Sequence, residues 1–555
     1  MKHIAFVFTT TLLFFLLLLA PAPRVYAQAN KFEKINHVII LYLENHTTDN
    51  LYSLLPGVNG VNSPGGAITQ LDQNNKPYET LPPVVVSFRY DGFGKPIDTL
   101  PGLPDPRFPD KFPNKPFLID DVVPNNVLLG TPLHRFYHHQ LQMNLNAPAP
   151  SEAPCLKDAI PCAGAMNKFV AWTDVGAQTM GYYDTTKLPL FPYARDYTFG
   201  DNFFTAAFGG SWLNHMWLVC ACTPRWENAP KEFIAHPVFD AQGKLSGETT
   251  GEMGLVTPDG YAVNTGVDSF YPPHTKLPDN QRLPPVDSPT IGDRLSAAGI
   301  SWYEYLGGWQ DYVDGRAENP VPFIAEPPMS SHVYFKPYGP GMPGREHLRD
   351  SDFFVPDLLN GNLPAVSIIK PDPAYDEHPG YSIVEQAEQH ALLWIQAVQL
   401  SKYWKDTVIF ITYDDYGGWY DHVPPPKIDR WGPGGRVPLL VISPWAKKGF
   451  VDHTFYDTTS LLKFIETRWN LPPVATRDAN ANDLANVFDF TQTPALNTAP
   501  DTALGQDQPP AVLTSPNANE NVLIGRNALI AVGAAIVLGA LGFIALRRRA
   551  KSKPR

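Results

Sequence analysis

Two adjacent carboxylates, Asp414 and Asp415, close the apolar run Thr407-Val-Ile-Phe-Ile-Thr412 and belong to the stretch Tyr413-Asp-Asp-Tyr-Gly-Gly-Trp-Tyr-Asp-His-Val-Pro-Pro-Pro426. The run has the length and composition of a buried strand. It puts the pair at a strand end, where open α/β sheets gather their ligands. Neighbouring carboxylates repel, so they need a cation, a proton or a strong donor between them; a solvated turn is the alternative. Gly417 and Gly418 then let the backbone turn sharply. Glu44 and Asn45 arrive in the same way, at the end of the apolar run Ile35 to Leu43, and are ready to join the Asp pair as hard oxygen ligands. A cap or turn is the alternative there. In Phe208-Gly-Gly-Ser-Trp-Leu-Asn-His215, two glycines precede Ser211 at the start of an apolar helix, and Asn214 follows on its side. A hydroxyl at a helix N-terminus faces unpaired N–H groups and the positive end of the dipole, a geometry suited to phosphate. An ordinary N-cap serine is the competing explanation. The fourth stretch, His134-Arg-Phe-Tyr-His-His139, holds three histidines in six residues. A helix over His134 to Met143 would set His134 and His138 on one face at i, i+4 spacing.

The elements that must position these groups alternate. Helices are expected at 290–298, closed by Gly299, at 354–359, 382–403 and 458–469. Strands are expected at 300–305, 365–369, 407–412 and 436–443. The alternation implies an α/β fold, a mostly parallel central sheet with helices on both faces. Residues 51–125, rich in Pro and Gly, read as an extended covering loop, and 230–285 as an insertion with hairpins. Nothing interrupts 30–490, so one large domain is expected. Four cysteines in an exported chain make disulfides possible. Cys155 and Cys162 flank a short loop and could pair. Cys220 and Cys222, in Cys-Ala-Cys, would make a strained bridge with each other and are expected as buried thiols.

The ends read as targeting segments. Lys2, the apolar run to Leu19 and the small residues before Ala27 form a secretory signal over 1–27. Residues 491–526 read as a disordered linker. The uncharged stretch from Asn527 to Leu546 is long enough to span about 30 Å, one hydrocarbon core. The basic residues of 547–555 favour a cytoplasmic tail, leaving the domain extracellular. The chain carries a formal charge of −12. Setting aside Lys2, Arg24 and the six basic residues of the tail removes eight positive charges and leaves about −20. Such a surface argues against a nucleic-acid partner, since phosphate backbones demand Lys and Arg patches. It does not bear on a small phosphorylated substrate held through a metal.

Five separated motifs resemble the bacterial phosphoesterase family of non-haemolytic phospholipases C and the related acid phosphatases: Glu44-Asn45, His134-Arg-Phe-Tyr, Gly-Gly-Ser211-x-x-Asn214-His, Asp-Asp-x-Gly-Gly-x-x-Asp-His-Val-Pro-Pro, and Arg436-Val-Pro-Leu-Leu-Val-Ile-Ser-Pro444. The resemblance spans most of 35–473. It implies an alkaline-phosphatase-like fold and metal-assisted attack on a phosphate ester. It also implies one divalent or redox-active metal ion on Glu44, Asn45, Ser211, Asp414 and Asp415. Ser211 would be the nucleophile, and His134, Asn214 and His378 would contact the phosphoryl oxygens. This sequence departs from the family at His46-Thr-Thr-Asp49, where the phospholipases more often have Arg-Ser-Phe-Asp. It also carries Asp415 where many members have Glu, and has no clear basic patch for a leaving group. The first expectation is therefore a membrane-anchored hydrolase of phosphate monoesters. A phospholipase C acting on phosphatidylcholine-like lipids is the second. A surface binding module that has kept the fold but lost turnover is the third. Release of nitrophenol from a nitrophenyl phosphate separates the last from the others.

Overall fold

A computed structural model of the protein describes residues 30–87, 102–157, 161–162, 164–248, 254–272, 277–314 and 331–494. The expected signal, membrane span and basic tail, and nearly all of the linker, lie outside these residues. Among the described residues no helix is long and apolar enough to cross a membrane. The chain separates into a short N-terminal piece, Met1–Glu33, and a body that begins at Lys34.

The centre of the body is an eight-stranded sheet formed by β1 (His37–Leu43), β2 (Thr198–Gly200), β3 (Trp302–Leu306), β4 (Leu348–Asp350), β5 (Val366–Lys370), β6 (Thr407–Tyr413), β7 (Leu439–Ile442) and β8 (Phe450–Asp452), in the spatial order β8-β2-β7-β6-β1-β5-β3-β4. β1 and β6 are apolar without alternation because both faces are covered: apart from the half-buried His37, every residue of the two strands is buried. The pairings around β1, β5, β3 and β4 are parallel, as is β2 with β8. β7 runs antiparallel to both β6 and β2, so the sheet is mixed. The loop from Asp414 to Pro438 returns at the end of the sheet where β6 stops, and the next strand must therefore run backwards.

The register fixes the site. β1 and β6 pair in step from His37 with Thr407 to Leu43 with Tyr413, so Glu44 and Asp414 emerge side by side. On the other flank of β1, Leu41 pairs with Ile369, which brings Lys370 to the same edge. The helices that matter here are α1 (Phe136–Gln142), α2 (Ser211–Cys220), α3 (Ile291–Ala297), α4 (Val384–Leu400) and α5 (Thr458–Trp469). α3 begins in a capping box between Thr290 and Asp293. The expected insertion does contain a hairpin, Pro237–Phe239 against Leu245–Glu248.

Two expectations need correction. His134 and His138 do not share a helix face, because α1 starts only at Phe136, after Arg135 in extended conformation. Cys220 and Cys222 are not thiols. They form a disulfide with Cα atoms 5.1 Å apart, made possible by Ala221, whose φ of 46° turns the chain at the end of α2. Cys155 pairs with Cys162.

Candidate active site

Ser211 is the first residue of α2, and the N-cap is Gly210, which makes no side-chain cap. Its hydroxyl is therefore not used to cap the helix. The Oγ instead lies 3.0 Å from Asp415 Oδ2, 3.3 Å from Glu44 Oε2 and 3.3 Å from Asn45 Oδ1. All five residues expected to share a metal thus meet, and all are buried. Two backbone features hold them there. Asn45 sits at φ 66°, a left-handed conformation that Asn tolerates better than most residues. Gly417, at φ 61°, passes so close to the Asn45 carbonyl that a side chain would collide with it. The turn after the Asp pair therefore requires glycine.

Backbone donors orient the carboxylates. Asp414 Oδ1 accepts the N–H groups of Asn45 (3.2 Å) and Asp415 (2.6 Å), and Asp415 Oδ1 accepts that of Gly417 (2.6 Å). Burial, and then the neighbouring acids, raise the pKa of both aspartates: Glu44 acts on Asp414, and Asp414 on Asp415. Glu44 goes the other way. Burial is the largest single influence and works to raise it, but the surrounding positive charge, that of Lys370 foremost, together holds it down at about 2. Lys370 Nζ lies 2.8 Å from Glu44 Oε1 and 2.6 Å from Asp376 Oδ2. The ammonium fixes the far oxygen of Glu44, so the near one faces Ser211.

His134 and His378 flank this group with their rings 6.0 Å apart. Each donates Nδ1–H to a backbone carbonyl, that of Pro132 at 2.6 Å and that of Pro379 at 2.5 Å. This bond sets the tautomer and leaves the lone pair on Nε2. His378 Nε2 is 3.9 Å from Glu44 Oε2. Burial keeps both rings neutral, His378 at about 3. Negative charge arriving beside them would favour the protonated forms, which donate from Nε2. Asn214 is anchored to the backbone: Oδ1 accepts from the Ala207 N–H at 2.9 Å and one of the two Nδ2–H groups donates to the Gly210 carbonyl at 3.2 Å. It clamps the glycine turn that presents Ser211.

Asp421 and His422 do not reach the Asp pair. Asp421 receives Arg436 Nε at 3.0 and 3.1 Å, while Asp49 receives Arg436 Nη2 at 2.9 Å and His422 Nδ1 at 2.6 Å. They brace the loop. Of the other two histidines in the His134 stretch, His139 stacks on Tyr416 at 3.4 Å and His138 packs edge-on to Trp172.

Two groups escaped the sequence reading. Lys370 carried a signal in hindsight: it is a lysine at the end of a strand buried along its whole length. His215 sits four residues after Ser211, hence one turn along on the same side of α2. With Glu44 and Asp414 it forms a group whose ligand atoms all lie within 4.8 Å of one another.

The sequence matches the Phosphoesterase family over residues 35–472. The chain belongs to that family. Among its relatives, the non-hemolytic phospholipase C of Burkholderia pseudomallei is 31% identical over 250 residues, which is 36% of this chain and 36% of the relative. Little more than a third of that relative's length is thus covered. Phospholipase C A of Mycobacterium tuberculosis is 23% identical over 502 residues, 84% of this chain and 79% of the relative. A solved protein of the alkaline phosphatase superfamily from Vibrio parahaemolyticus shares 13% identity, over 37% of this chain and 53% of that one, with a TM-score of 0.22. That overlap is too loose to bear on the fold.

The donor set suits a cation. Two carboxylates and an amide oxygen converge on one hydroxyl, and beside them Asp414 Oδ2 is buried without a hydrogen-bond partner among the described residues. An oxygen-rich, net-negative nest of this kind fits a divalent ion.

Proposed function

We propose that this chain hydrolyses phosphoester bonds with Ser211 as nucleophile and with a metal ion held by Glu44, Asn45, Ser211, Asp414 and Asp415. The observation that carries the reading is the placement of the Ser211 hydroxyl. It leads a helix without capping it, and its Oγ lies 3.0 Å from Asp415 Oδ2. A bound cation would lower the cost of ionising that hydroxyl and offset charge on the phosphoryl oxygens. The Ser211 proton passes to Asp415 Oδ2 as Oγ attacks phosphorus. The Oγ–P bond forms, the ester O–P bond breaks, and the departing alkoxide takes the proton held by Asp415. Water then attacks phosphorus and gives a proton to Asp415, the Oγ–P bond breaks, and Ser211 takes that proton back. His134 and His378 face the phosphoryl group, whose negative charge favours their protonated forms, and once protonated from solvent they donate from Nε2 to its oxygens. Asn214 holds the turn from which Ser211 acts.

For the substrate, the named relatives support a phospholipid headgroup ester over the soluble monoester that the sequence alone puts first. We accordingly infer a phospholipase C activity. We also infer export, with the domain outside and 527–546 as its tether, an arrangement that would hold the site near lipid. The test is a panel on the purified protein: nitrophenyl phosphate, nitrophenyl phosphorylcholine and phosphatidylcholine vesicles. Faster turnover of the choline diester and the vesicles supports the lipid reading. Preference for the monoester returns the assignment to a phosphatase, and no turnover of any substrate leaves a binding module.

A further inference from the structure

His215 lies 3% exposed on α2. Its Nε2 has no hydrogen-bond partner among the described residues, and neither has Asp414 Oδ2. The two atoms face each other at 3.6 Å. Neither group is free to swing. Asp414 is fixed through Oδ1 by two backbone N–H groups. The imidazole is packed edge-on against Tyr42, with ring centroids 4.9 Å apart.

The separation discriminates between two roles. An N–H···O hydrogen bond spans about 2.7–3.2 Å, so 3.6 Å is too long for one. Two ligands on one ion stand further apart. With metal–nitrogen and metal–oxygen distances of about 2.0–2.2 Å, the donors are about 3.4 Å apart at a tetrahedral angle and about 3.6 Å apart near 120°. Glu44 supplies a third donor within reach, since the ligand atoms of Glu44, His215 and Asp414 all lie within 4.8 Å of one another.

We propose that His215, one turn beyond Ser211 along α2, is a ligand of that same metal ion, so that its Nε2 joins Asp414 Oδ2 and a Glu44 oxygen in holding a transition metal. This rests on the metal-assisted reading above and deepens it by naming the class of ion. Oxygen donors alone suit Mg²⁺, Ca²⁺ or Mn²⁺, whereas an imidazole shifts the preference towards Zn²⁺, Fe or Cu. A histidine with a purely packing role would leave two buried polar atoms facing each other unpaired, an arrangement native interiors avoid.

The experiment uses the full-length protein, stripped with chelator and reloaded with one equivalent of Cu²⁺, and pulsed EPR to detect coupling to an imidazole nitrogen. Coupling is expected in the wild type and in His134→Ala and His378→Ala, and should disappear in His215→Ala. In parallel, equilibrium dialysis should show Zn²⁺ affinity falling at least about 100-fold in His215→Ala. If that variant does not fold, His215→Gln keeps much of the volume and removes the imidazole. Absence of imidazole coupling in the wild type, or coupling that survives both His215 variants, overturns the proposal. The two readings fail separately. Coupling that depends on His215 without any phosphoester turnover leaves the ligand and removes the function. Metal-dependent turnover without such coupling leaves the function and removes the ligand.

Discussion

Two buried groups in this protein are each built on two carboxylates and a histidine, and they have opposite states of charge balance. Asp49, Asp421 and His422 form one; Glu44, His215 and Asp414, joined by Asp415, form the other. In the first, Arg436 enters between the carboxylates and donates to both, with hydrogen bonds of 2.9 to 3.1 Å. The charge is answered from within the chain, and the group is a brace. In the second, Lys370 reaches only the outer oxygen of Glu44 and shares itself with Asp376. Among the described residues, the Asp pair has no side-chain cation of its own within salt-bridge distance apart from the histidine at 3.6 Å. Acid clusters that could hold a metal are thus told apart by whether an internal cation already occupies the centre. Spacing in the sequence does not separate them, since Asp414-Asp415 and Asp421-His422 lie in the same loop.

The largest effect expected is at Ser211. If its hydroxyl is the nucleophile, Ser211→Ala should lower kcat on the order of 10⁶-fold, about 8 kcal/mol in barrier. The melting temperature should hardly move, because the hydroxyl caps nothing. Retention of a tenth of the activity would assign attack to water.

Next comes Arg436. Arg436→Ala strips the braced group of its cation and should cost about 3–5 kcal/mol in urea unfolding. It should also convert brace into site: added Zn²⁺ should raise the melting temperature of the variant through Asp49, Asp421 and His422, beyond any rise in the wild type. A variant indifferent to the metal would break the comparison.

Lys370→Met tests the other side. The depressed pKa of Glu44, about 2 against an ordinary 4.5, contributes about 3 kcal/mol of stability at neutral pH. For a carboxyl with a lowered folded-state pKa, that contribution is complete above the unfolded value and is lost as pH falls through the folded one. In chelator-treated protein, the wild type should therefore exceed Lys370→Met in stability above pH about 4.5, with the gap closing towards pH about 2. A gap independent of pH would mean that Lys370 acts through packing alone.

The smallest of the four is Asp414→Asn. Removing one unit of charge while keeping the shape should weaken metal retention at least about tenfold, or ~1.4 kcal/mol. Elemental analysis after dialysis and circular dichroism together check that metal is lost and fold is kept.

How much of the molecule is legible in its sequence follows physical lines. β1 and β6 are readable because strands covered on both faces carry unbroken apolar runs, and the residues ending them, Glu44 and Asp414, fall at strand ends as expected. α5 falls on the expected residues because Asp457 caps its start and Asn470, in left-handed conformation, ends it. The reversal of β7 is not readable, since it depends on where the Asp414 to Pro438 loop comes back. The α1 boundary escapes because the histidines suggest helical spacing, while the backbone at Arg135 is extended. Lys370 and His215 escape for a shared reason. Their partners are Glu44 and Asp414, and only the register across β5, β1 and β6, with α2 packed at the sheet edge, brings them together. Asn214 is intermediate: its position in a motif suggests contact with substrate, and its Oδ1 and one of its two Nδ2–H groups are engaged by the backbone.

The measurement that bears most directly on the central claim is a rapid acid quench of the wild type during turnover of nitrophenyl phosphorylcholine, followed by peptide mass spectrometry. A phosphorylcholine ester is expected on Ser211 in the quenched wild type and none in Ser211→Ala. Steady turnover with Ser211 unmodified at every quench time would contradict that claim.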